Sequence, residues 1–387
     1  MGRTTLVPVT ASVVDWAIRE SGFEPRRVAA KVGVSPEVLH SWSKGAARPT
    51  LTQFRKLASA LKRTPATFLL PAPPEKPPVA VEFRRPAGVD RRSLNAVERM
   101  YLRDARRLQE LLAWLQEQLR ESSDDILPHL RYSEDDPEIA ASRARTLLRV
   151  DSHAGAMSWR TASAAFDWWR DTLEGSGVLV LTYPMRRDSV RGFSVWNDRL
   201  PLVAINTAWR SEARTYTLFH EFGHLLTRTA SACIEAGARF ARPSDAVERW
   251  CEEFSASVLL PRPEVERFLS KELGRIAPIT DLDVPSKVAT RFKVSLRAAT
   301  IRLIEMKLAK WDLYGEIPAP SDDKPSGGGG GGRDRSEIRG DQYGNRALAI
   351  FVRAMKRDIL GRADVLDALR VSDSDLTQIE RKSARTA

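Results

Sequence analysis

The spacing of apolar residues predicts a chain built mainly of helices. Between residues 11 and 70, short amphipathic stretches alternate with turn signals, and the first of them, Val13 to Glu20, ends near Gly22. From Ser93 to Glu121, leucines recur at helical spacing, so this helix must bury one stripe, either in a coiled-coil dimer or against a neighbouring core. Two further helices are predicted at 138–150 and 158–173.

A short β region interrupts the helices. Apolar or alternating runs predict three strands, at 177–183, 192–196 and 202–206. Helices then resume at about 214–228, 245–260, 263–273, 285–292 and 296–309, and two more follow at 346–359 and 362–370. This order predicts a mainly α protein with a small β-sheet, in which an all-α N-terminal domain precedes an α+β domain.

Two segments of biased composition predict how the chain is divided. Its 387 residues exceed one compact core. The prolines of 71–78 favour an extended spacer, and the glycines of 318–332 favour a flexible one. The predicted boundaries are therefore a domain at 1–70, a linker at 71–92, a domain at 93–315, a linker at 316–336 and a small helical tail at 337–387.

Charge and cysteine content narrow the function classes. The formal net charge is +11, and residues 1–63 hold 11 lysines and arginines against 4 acidic residues, which favours a polyanionic partner for the N-terminal domain. Two cysteines, Cys233 and Cys251, argue against a disulfide framework and against a cysteine-based zinc ribbon. Without a cleavable leader or an apolar run of roughly 18 residues, a cytoplasmic protein with no membrane partner is expected.

Residues 26–44 have the pattern of a helix-turn-helix. Gly33 can take the positive φ that a tight turn requires, and Ser35-Pro36 suits the N-cap and first position of the second helix. The second helix then buries an apolar side that includes Leu39 and Trp42. This leaves four residues facing outward: Glu37, His40, Ser41 and Lys44.

Double-stranded DNA is the partner that this arrangement predicts. In a helix-turn-helix, the outward residues of the second helix face base edges in the major groove, while basic side chains contact phosphates. The residues suited to phosphates are Arg26, Arg27, Lys44 and Arg48. Alternatively, the domain serves protein contact or forms a homodimer.

The same stretch resembles the Cro-type domain of the XRE family. The resemblance is carried by a Ser-x-x-x-Leu-x-x-Trp-x-x-Gly run that begins at Ser35 and ends at Gly45, followed by Pro49. Ser43 stands where that family often has glutamate. The resemblance implies a small all-helical DNA-binding domain.

The sequence His220-Glu221-Phe222-Gly223-His224 has the spacing of a zinc site. On a helix, His220 and His224 project from one face about 6 Å apart and can bind one Zn²⁺. Glu221 between them can act as the general base that takes a proton from the attacking water. The helical pattern predicts that this helix buries one face and presents the histidines on the other, and Gly223 allows a close backbone approach.

A tetrahedral catalytic ion needs a third protein ligand, and four glutamates follow the motif closely. They are Glu235, Glu248, Glu252 and Glu253. On the predicted helix 245–260, Glu248 lies at the edge of the apolar stripe, Glu252 lies further from it, and Glu253 points to solvent. We therefore predict that Glu248 completes the metal set with His220 and His224, with Glu252 as the alternative.

Three segments around this motif resemble the ImmA/IrrE family of metallo-endopeptidases. They are 201–206, 214–226 and 248–261, and the resemblance as a whole covers roughly residues 5–310. It implies a zincin-like fold, Glu248 as the third zinc ligand, and cleavage or inactivation of a partner repressor. Glu252 stands where that family usually has Asn or Asp, and Ser255 where it usually has Ala.

Three hypotheses follow from the sequence. The first is a DNA-binding zinc metallo-endopeptidase whose substrate is a protein such as a transcriptional repressor. The second is a transcriptional regulator whose peptidase-like domain only senses a ligand or binds a partner. The third is a toxin or antitoxin partner that needs no peptidase turnover.

Overall fold

A computed structural model describes eight stretches of the chain: residues 6–74, 82–84, 95–120, 136–150, 159–228, 245–273, 278–318 and 334–386. Glu235, Cys233 and most of both predicted linkers lie outside these residues. The chain divides into two compact units. Unit 1 contains Met1–Pro78 and Ala87–Asp104, and unit 2 contains Val79–Pro86 and Ala105–Ala387.

Unit 1 begins with a bundle of short helices. They are α1 (Ala11–Ser21), α2 (Pro25–Val32), α3 (Pro36–Ser43) and α4 (Leu51–Ala60), followed by a 3₁₀ turn at Pro65–Leu69. Their inward apolar residues share one core around Val28, Leu39, Trp42 and Leu57. The predicted run of short helices in this region is therefore present.

Local chemistry places the turn between α2 and α3. Gly33 ends α2 in the left-handed region at φ 83°, where a glycine has no Cβ to strain. The Ser35 hydroxyl accepts a hydrogen bond from the Val38 N–H at 3.4 Å and caps α3. Thr50 and Gln53 form a capping box that begins α4.

Helix α5 (Ala96–Gln118) is the long leucine-rich helix that the sequence predicted. Its first turns belong to unit 1, where Arg103 donates to the Glu20 carbonyl at 3.4 Å and to the Leu61 carbonyl at 3.5 Å. Its later turns belong to unit 2, where Gln109 donates to two backbone carbonyls of that unit. The division between the two units thus falls at residue 104, whereas the predicted domain boundary is at 92. The contacts that assign the first turns of α5 to unit 1 join residues far apart in sequence, and a local pattern does not show them.

Four strands form one sheet within the described part of unit 2. They are β1 (Glu82–Arg84), β2 (Leu179–Tyr183), β3 (Gly192–Val195) and β4 (Leu202–Asn206), and their order in the sheet is β1-β3-β4-β2. β2 and β4 are parallel, and β3 is antiparallel to both of its neighbours. The sequence predicted β2, β3 and β4, whereas β1 comes from the predicted proline-rich linker.

Helices cover this sheet and complete the core of unit 2. They are α6 (Pro137–Leu147), α7 (Ala162–Gly175), α8 (Ser211–Thr227), α9 (Asp245–Leu259), α10 (Arg262–Leu273), α11 (Asp283–Phe292), α12 (Leu296–Glu305) and α13 (Asp312–Gly315). α8 packs on the sheet and against α7 and α9. The predicted fold class, mainly α with a small sheet, is confirmed.

Three C-terminal helices follow the glycine-rich segment: α14 (Arg335–Lys356), α15 (Arg362–Leu369) and α16 (Asp373–Thr386). They belong to unit 2 rather than to a separate body, and α14 packs on β2 and α7. Glu174 of α7 accepts from the Arg346 N–H at 2.9 Å and from Arg170 at 3.2 Å. A kink at Gly344, at φ 77°, lets the α14 backbone pass beside Glu174.

None of the helices in the described residues is long and apolar enough to cross a membrane. The longest, α5 and α14, carry charged residues throughout their length.

Candidate metal centre and candidate nucleic-acid interface

Helix α8 is buried on all sides where it carries the histidine motif. Its apolar residues, including Leu218, Phe219 and Phe222, face the core of unit 2. His220, Glu221 and His224 are also buried, each at 1% exposure or less. The expectation that this helix presents its histidine face to solvent is therefore wrong, because α9 covers that face.

Two imidazoles and one carboxylate meet between α8 and α9. The Nε2 atoms of His220 and His224 lie 3.1 Å apart. The Glu248 carboxylate lies 3.4 Å from His220 Nε2 and 3.6 Å from His224 Nε2. One potential ligand atom from each of the three residues lies within 4.8 Å of the others, a set that can hold a metal ion.

A close approach of two helices brings Glu248 to the histidines. A Cβ atom added at Gly223 would lie 3.1 Å from the Cys251 sulfur and 3.4 Å from its Cα, so another residue there would require α9 to shift by a few tenths of an ångström. About two turns earlier on α8, the Tyr216 hydroxyl donates to the Glu252 backbone carbonyl at 2.9 Å. The close approach expected at Gly223 thus occurs against helix α9.

The other acidic candidates lie elsewhere. The side chains of Glu252 and Glu253 are exposed, whereas Glu248 is half-buried beside the imidazoles. Ser255, one of the two departures from the family pattern, is buried, and its hydroxyl donates to the Cys251 carbonyl at 2.6 Å. Glu235 lies outside the described residues.

Glu221 occupies the side of α8 that faces strand β3. A Cβ atom added at Gly192 would lie 3.2 Å from Glu221 Cγ and 2.7 Å from a methyl carbon of Thr217. Since side chains alternate along a strand, Ser194 shares this face of β3 with Gly192. Ser194 is fully buried, and its hydroxyl has no hydrogen-bond partner among the described residues.

The donor set fits zinc. Two imidazole nitrogens and one carboxylate oxygen are the ligands of many catalytic zinc sites, which keep a fourth position open. In this chain the imidazoles are buried and held by a helix in the core, and the carboxylate reaches them from a second helix. An arrangement of this kind is typical of a metal centre on a rigid scaffold.

Comparison with protein families agrees with a metallopeptidase-like domain in this region. Residues 173–304 match the family model described as the IrrE N-terminal-like domain, Peptidase_M78. This match includes the sheet strands β2 to β4, the helices α8 and α9 and all three candidate ligands, and it supports a metallopeptidase-like function for this region. No curated protein and no solved structure matches the chain.

The N-terminal helices lie outside the matched region, and their surface carries the predicted DNA-binding residues. Six of these are exposed on or beside α2 and α3: Arg26, Arg27, Glu37, His40, Lys44 and Arg48. Ser41 is half-buried, and its hydroxyl donates to the Val38 carbonyl of its own helix at 2.7 Å. Most of the predicted residues are therefore available to a partner.

The charge on this surface is mainly positive. Partial desolvation lowers the pKa of Lys31, and the positive charges of Arg27 and Lys62 lower it further. Arg27 and Lys31 both lie over the Phe23 ring, at 5.4 and 4.2 Å from its centre. A hydrogen bond with Ser35 lowers the pKa of Glu37, which is therefore an ionised acceptor at neutral pH.

The sequence analysis missed several residues that shape the centre. Gly192 and Ser194 lie on the strand beside Glu221, and Cys251 sets the spacing of α8 and α9. A glycine at the start of an alternating run is a signal of close backbone approach and could have indicated Gly192. Nothing in the local sequence indicates the contacts of Ser194 or Cys251.

Proposed function

We propose that unit 2 is a zinc-dependent metallo-endopeptidase that cleaves or inactivates a partner protein such as a transcriptional repressor, and that unit 1 binds double-stranded DNA. The observation that carries the first half is the meeting of His220, His224 and Glu248 within 4.8 Å inside a region that matches a peptidase family. The second half rests on the exposed, positively charged helix-turn-helix surface.

In the proposed centre, His220, His224 and Glu248 hold the zinc ion. When bound, Zn²⁺ supplies a Lewis acid that polarises the scissile carbonyl and lowers the pKa of a water molecule. Two buried imidazoles on one helix restrict where the ion sits, because neither ring can turn without disturbing the core.

Glu221 is the proposed general base. Its side chain is buried on the β3 side of α8, and in sequence it follows His220 directly. It takes a proton from the attacking water and delivers it to the amine that leaves when the peptide bond breaks. The neighbouring strand β3 limits the positions of this side chain, which keeps the carboxylate in place for both transfers.

Substituting Glu221→Gln tests the enzymatic proposal. We expect peptide hydrolysis by the zinc-loaded chain to fall about 10²- to 10⁴-fold, because the base is lost while the shape is kept. Zinc content should be unchanged, since Glu221 is not a proposed ligand. Glu252→Gln is the matched control, because this exposed side chain lies on α9 one turn beyond Glu248 and away from the imidazoles.

The readout is cleavage of fluorescein-labelled casein, together with a search for a cellular protein that accumulates when the Glu221→Gln variant is expressed. If Glu221→Gln and wild type give the same biological output, the enzymatic proposal fails. The domain would then act as a sensor or partner-binding module, the alternative that the sequence left open.

Three observations support DNA binding by unit 1. The second helix of the motif exposes His40 and Lys44, and both ends of the motif carry exposed arginines. The ionised carboxylate of Glu37 can accept a hydrogen bond from a cytosine amino group in the major groove. Excess positive charge in this part of the chain suits contact with phosphates.

Electrophoretic mobility shift with selected duplex fragments tests this part. Replacing Lys44 and Arg48 by alanine should weaken binding to all sequences alike and reduce the salt dependence by a slope of about two. His40→Ala should change the preferred sequence instead. Absence of duplex binding above background at low salt contradicts the proposal.

A further inference from the structure

Strand β1 has a position that the sequence analysis did not anticipate. It comes from residues 82–84, which lie in sequence between the two segments of unit 1, yet it belongs to unit 2. It pairs antiparallel with β3, in the register Glu82 with Ser194 and Arg84 with Gly192. It therefore lies along the strand that flanks the proposed general base.

The hydrogen bonds between β3 and β4 show which backbone groups of β3 are directed toward β1. The Asn206 N–H donates to the Arg191 carbonyl at 2.9 Å, so residue 191 directs its backbone groups toward β4. Backbone groups alternate along an antiparallel strand, so those of Gly192 and Ser194 are directed to the opposite side, toward β1. Without β1, these groups would form an open edge beside Glu221.

An open edge of this kind binds extended peptides. Backbone N–H and C=O groups pair with an added strand whatever its side chains are, which suits a peptidase that must hold a scissile segment in extended form. Gly192 on this edge lies beside Glu221, and position 84 is its direct partner. Strand β1 thus occupies the place next to the general base where a substrate strand would pair.

Prolines flank the residues of β1 in the sequence. In an antiparallel strand, positions 80 and 86 would be the next to direct their backbone groups to the same side as Glu82 and Arg84. Position 86 is a proline, which has no N–H to donate, and Pro77 and Pro78 precede the strand. Prolines at these places weaken the pairing of a strand, which favours its displacement.

We propose that β1 is an intramolecular occupant of a peptide-binding edge formed by Gly192–Val195, and that an extended segment of a protein substrate pairs with this edge after β1 leaves. The inference rests on the proposed peptidase function, since it assigns the substrate's binding mode and its regulation. Both ends of β1 continue in sequence into unit 1, so events in unit 1 can change the occupancy of the edge through the chain itself.

Two variants of the full chain separate the backbone of β1 from its side chains. The double variant Glu82→Pro with Arg84→Pro removes the two N–H groups that donate to β3. The matched control, Glu82→Ala with Arg84→Ala, changes the same side chains and keeps both N–H groups. Circular dichroism and the thermal midpoint check folding, and Arg84→Pro alone replaces the double variant if that one unfolds.

Two measurements need no turnover. Hydrogen exchange of the segment containing Gly192 and Ser194 should become at least about tenfold faster in the proline variant and stay unchanged in the alanine control. A fluorescein-labelled peptide with the sequence of residues 79–87 should bind the proline variant at least about tenfold more tightly than wild type, measured by anisotropy. Equal exchange, or equal peptide binding in all three proteins, overturns the proposal.

Cleavage of labelled casein by the zinc-loaded proteins separates this inference from the proposed function. A higher rate in the proline variant than in wild type and the alanine control supports both. If no protein cleaves casein but the peptide still distinguishes the proline variant, the edge is correct and the peptidase function is not. Equal and measurable cleavage rates in all three proteins show that β1 does not limit access and overturn the inference.

Discussion

Gly192 offers the sharpest test of how the sheet positions the candidate centre. Replacing it with alanine would bring the new Cβ to 2.7 Å from the Thr217 methyl carbon and 2.9 Å from the Ala204 carbonyl oxygen. Both distances are shorter than ordinary van der Waals contact. A shift of α8 can relieve the contact with Thr217, but the contact with the Ala204 oxygen lies between two strands and requires a shift within the sheet.

The expected cost follows from these overlaps. Overpacking by one methyl group in a dense core costs about 1–3 kcal/mol, and two contacts below 3 Å suggest about 2 kcal/mol. For a domain of this size, that loss lowers the thermal midpoint by about 4–8 °C. Backbone strain adds nothing, since Gly192 is not in the left-handed region.

Urea unfolding followed by tryptophan fluorescence measures the change in free energy. Gly340→Ala is the matched control, because a Cβ there meets nothing within 4 Å and alanine favours the helix that contains it. We expect this control to be stabilised by about 0.5–1 kcal/mol. If Gly192→Ala is as stable as wild type, the close packing of β3 against α8 is refuted.

Three further predictions concern the ligand set and the C-terminal helices. Glu248→Ala should weaken zinc binding by at least about tenfold in a chelator competition, whereas Glu252→Ala should not, and the reverse result reassigns the ligand. Gly344→Ala should destabilise the chain by about 3 kcal/mol in urea, because its Cβ would overlap the Glu174 carboxylate. Burial raises the pKa of Glu174 above its ordinary value of 4.5. Compared with glutamine at this position, Glu174 therefore contributes fully to the free energy of unfolding below pH 4.5, and this contribution is lost as the pH rises through the raised pKa. The difference in urea midpoint between wild type and Glu174→Gln should therefore fall with rising pH, and an increase contradicts the assignment.

Local patterns were sufficient for most elements around the centre. β4 spans the predicted residues 202–206, and α9 begins at the predicted Asp245, because an apolar run and a helical stripe are properties of adjacent residues. The i and i+4 spacing of His220 and His224 likewise depends only on the helix that carries them. The wheel argument that favoured Glu248 over Glu252 needed no contact beyond α9 itself.

Elements that depend on distant partners were harder to predict. Strand β1 has an alternating apolar signal at Val79, Val81 and Phe83, but the surrounding prolines favoured a linker. Its partner, β3, lies more than a hundred residues further along the chain.

The C-terminal helices show the same limitation. The predicted start at Arg346 agrees with the part of α14 that follows the kink at Gly344, whereas the part from Arg335 to the kink was not predicted. Packing of α14 on β2 and α7 is not visible in the local sequence. Helix α16 was not predicted, since its polar sequence buries few apolar residues, among them Leu376 and Ile379.

The candidate centre itself combines both kinds of information. The motif fixes the spacing of two ligands and the base, but the third ligand reaches them only if α9 can approach α8 closely. Gly223 provides that approach, since any side chain there would push against the Cys251 sulfur and backbone. Because Glu248 lies on α9, we expect a larger residue at position 223 to press on that helix and shift its carboxylate relative to the imidazoles. The glycine within the motif thus helps to set the distance at which the carboxylate meets the histidines.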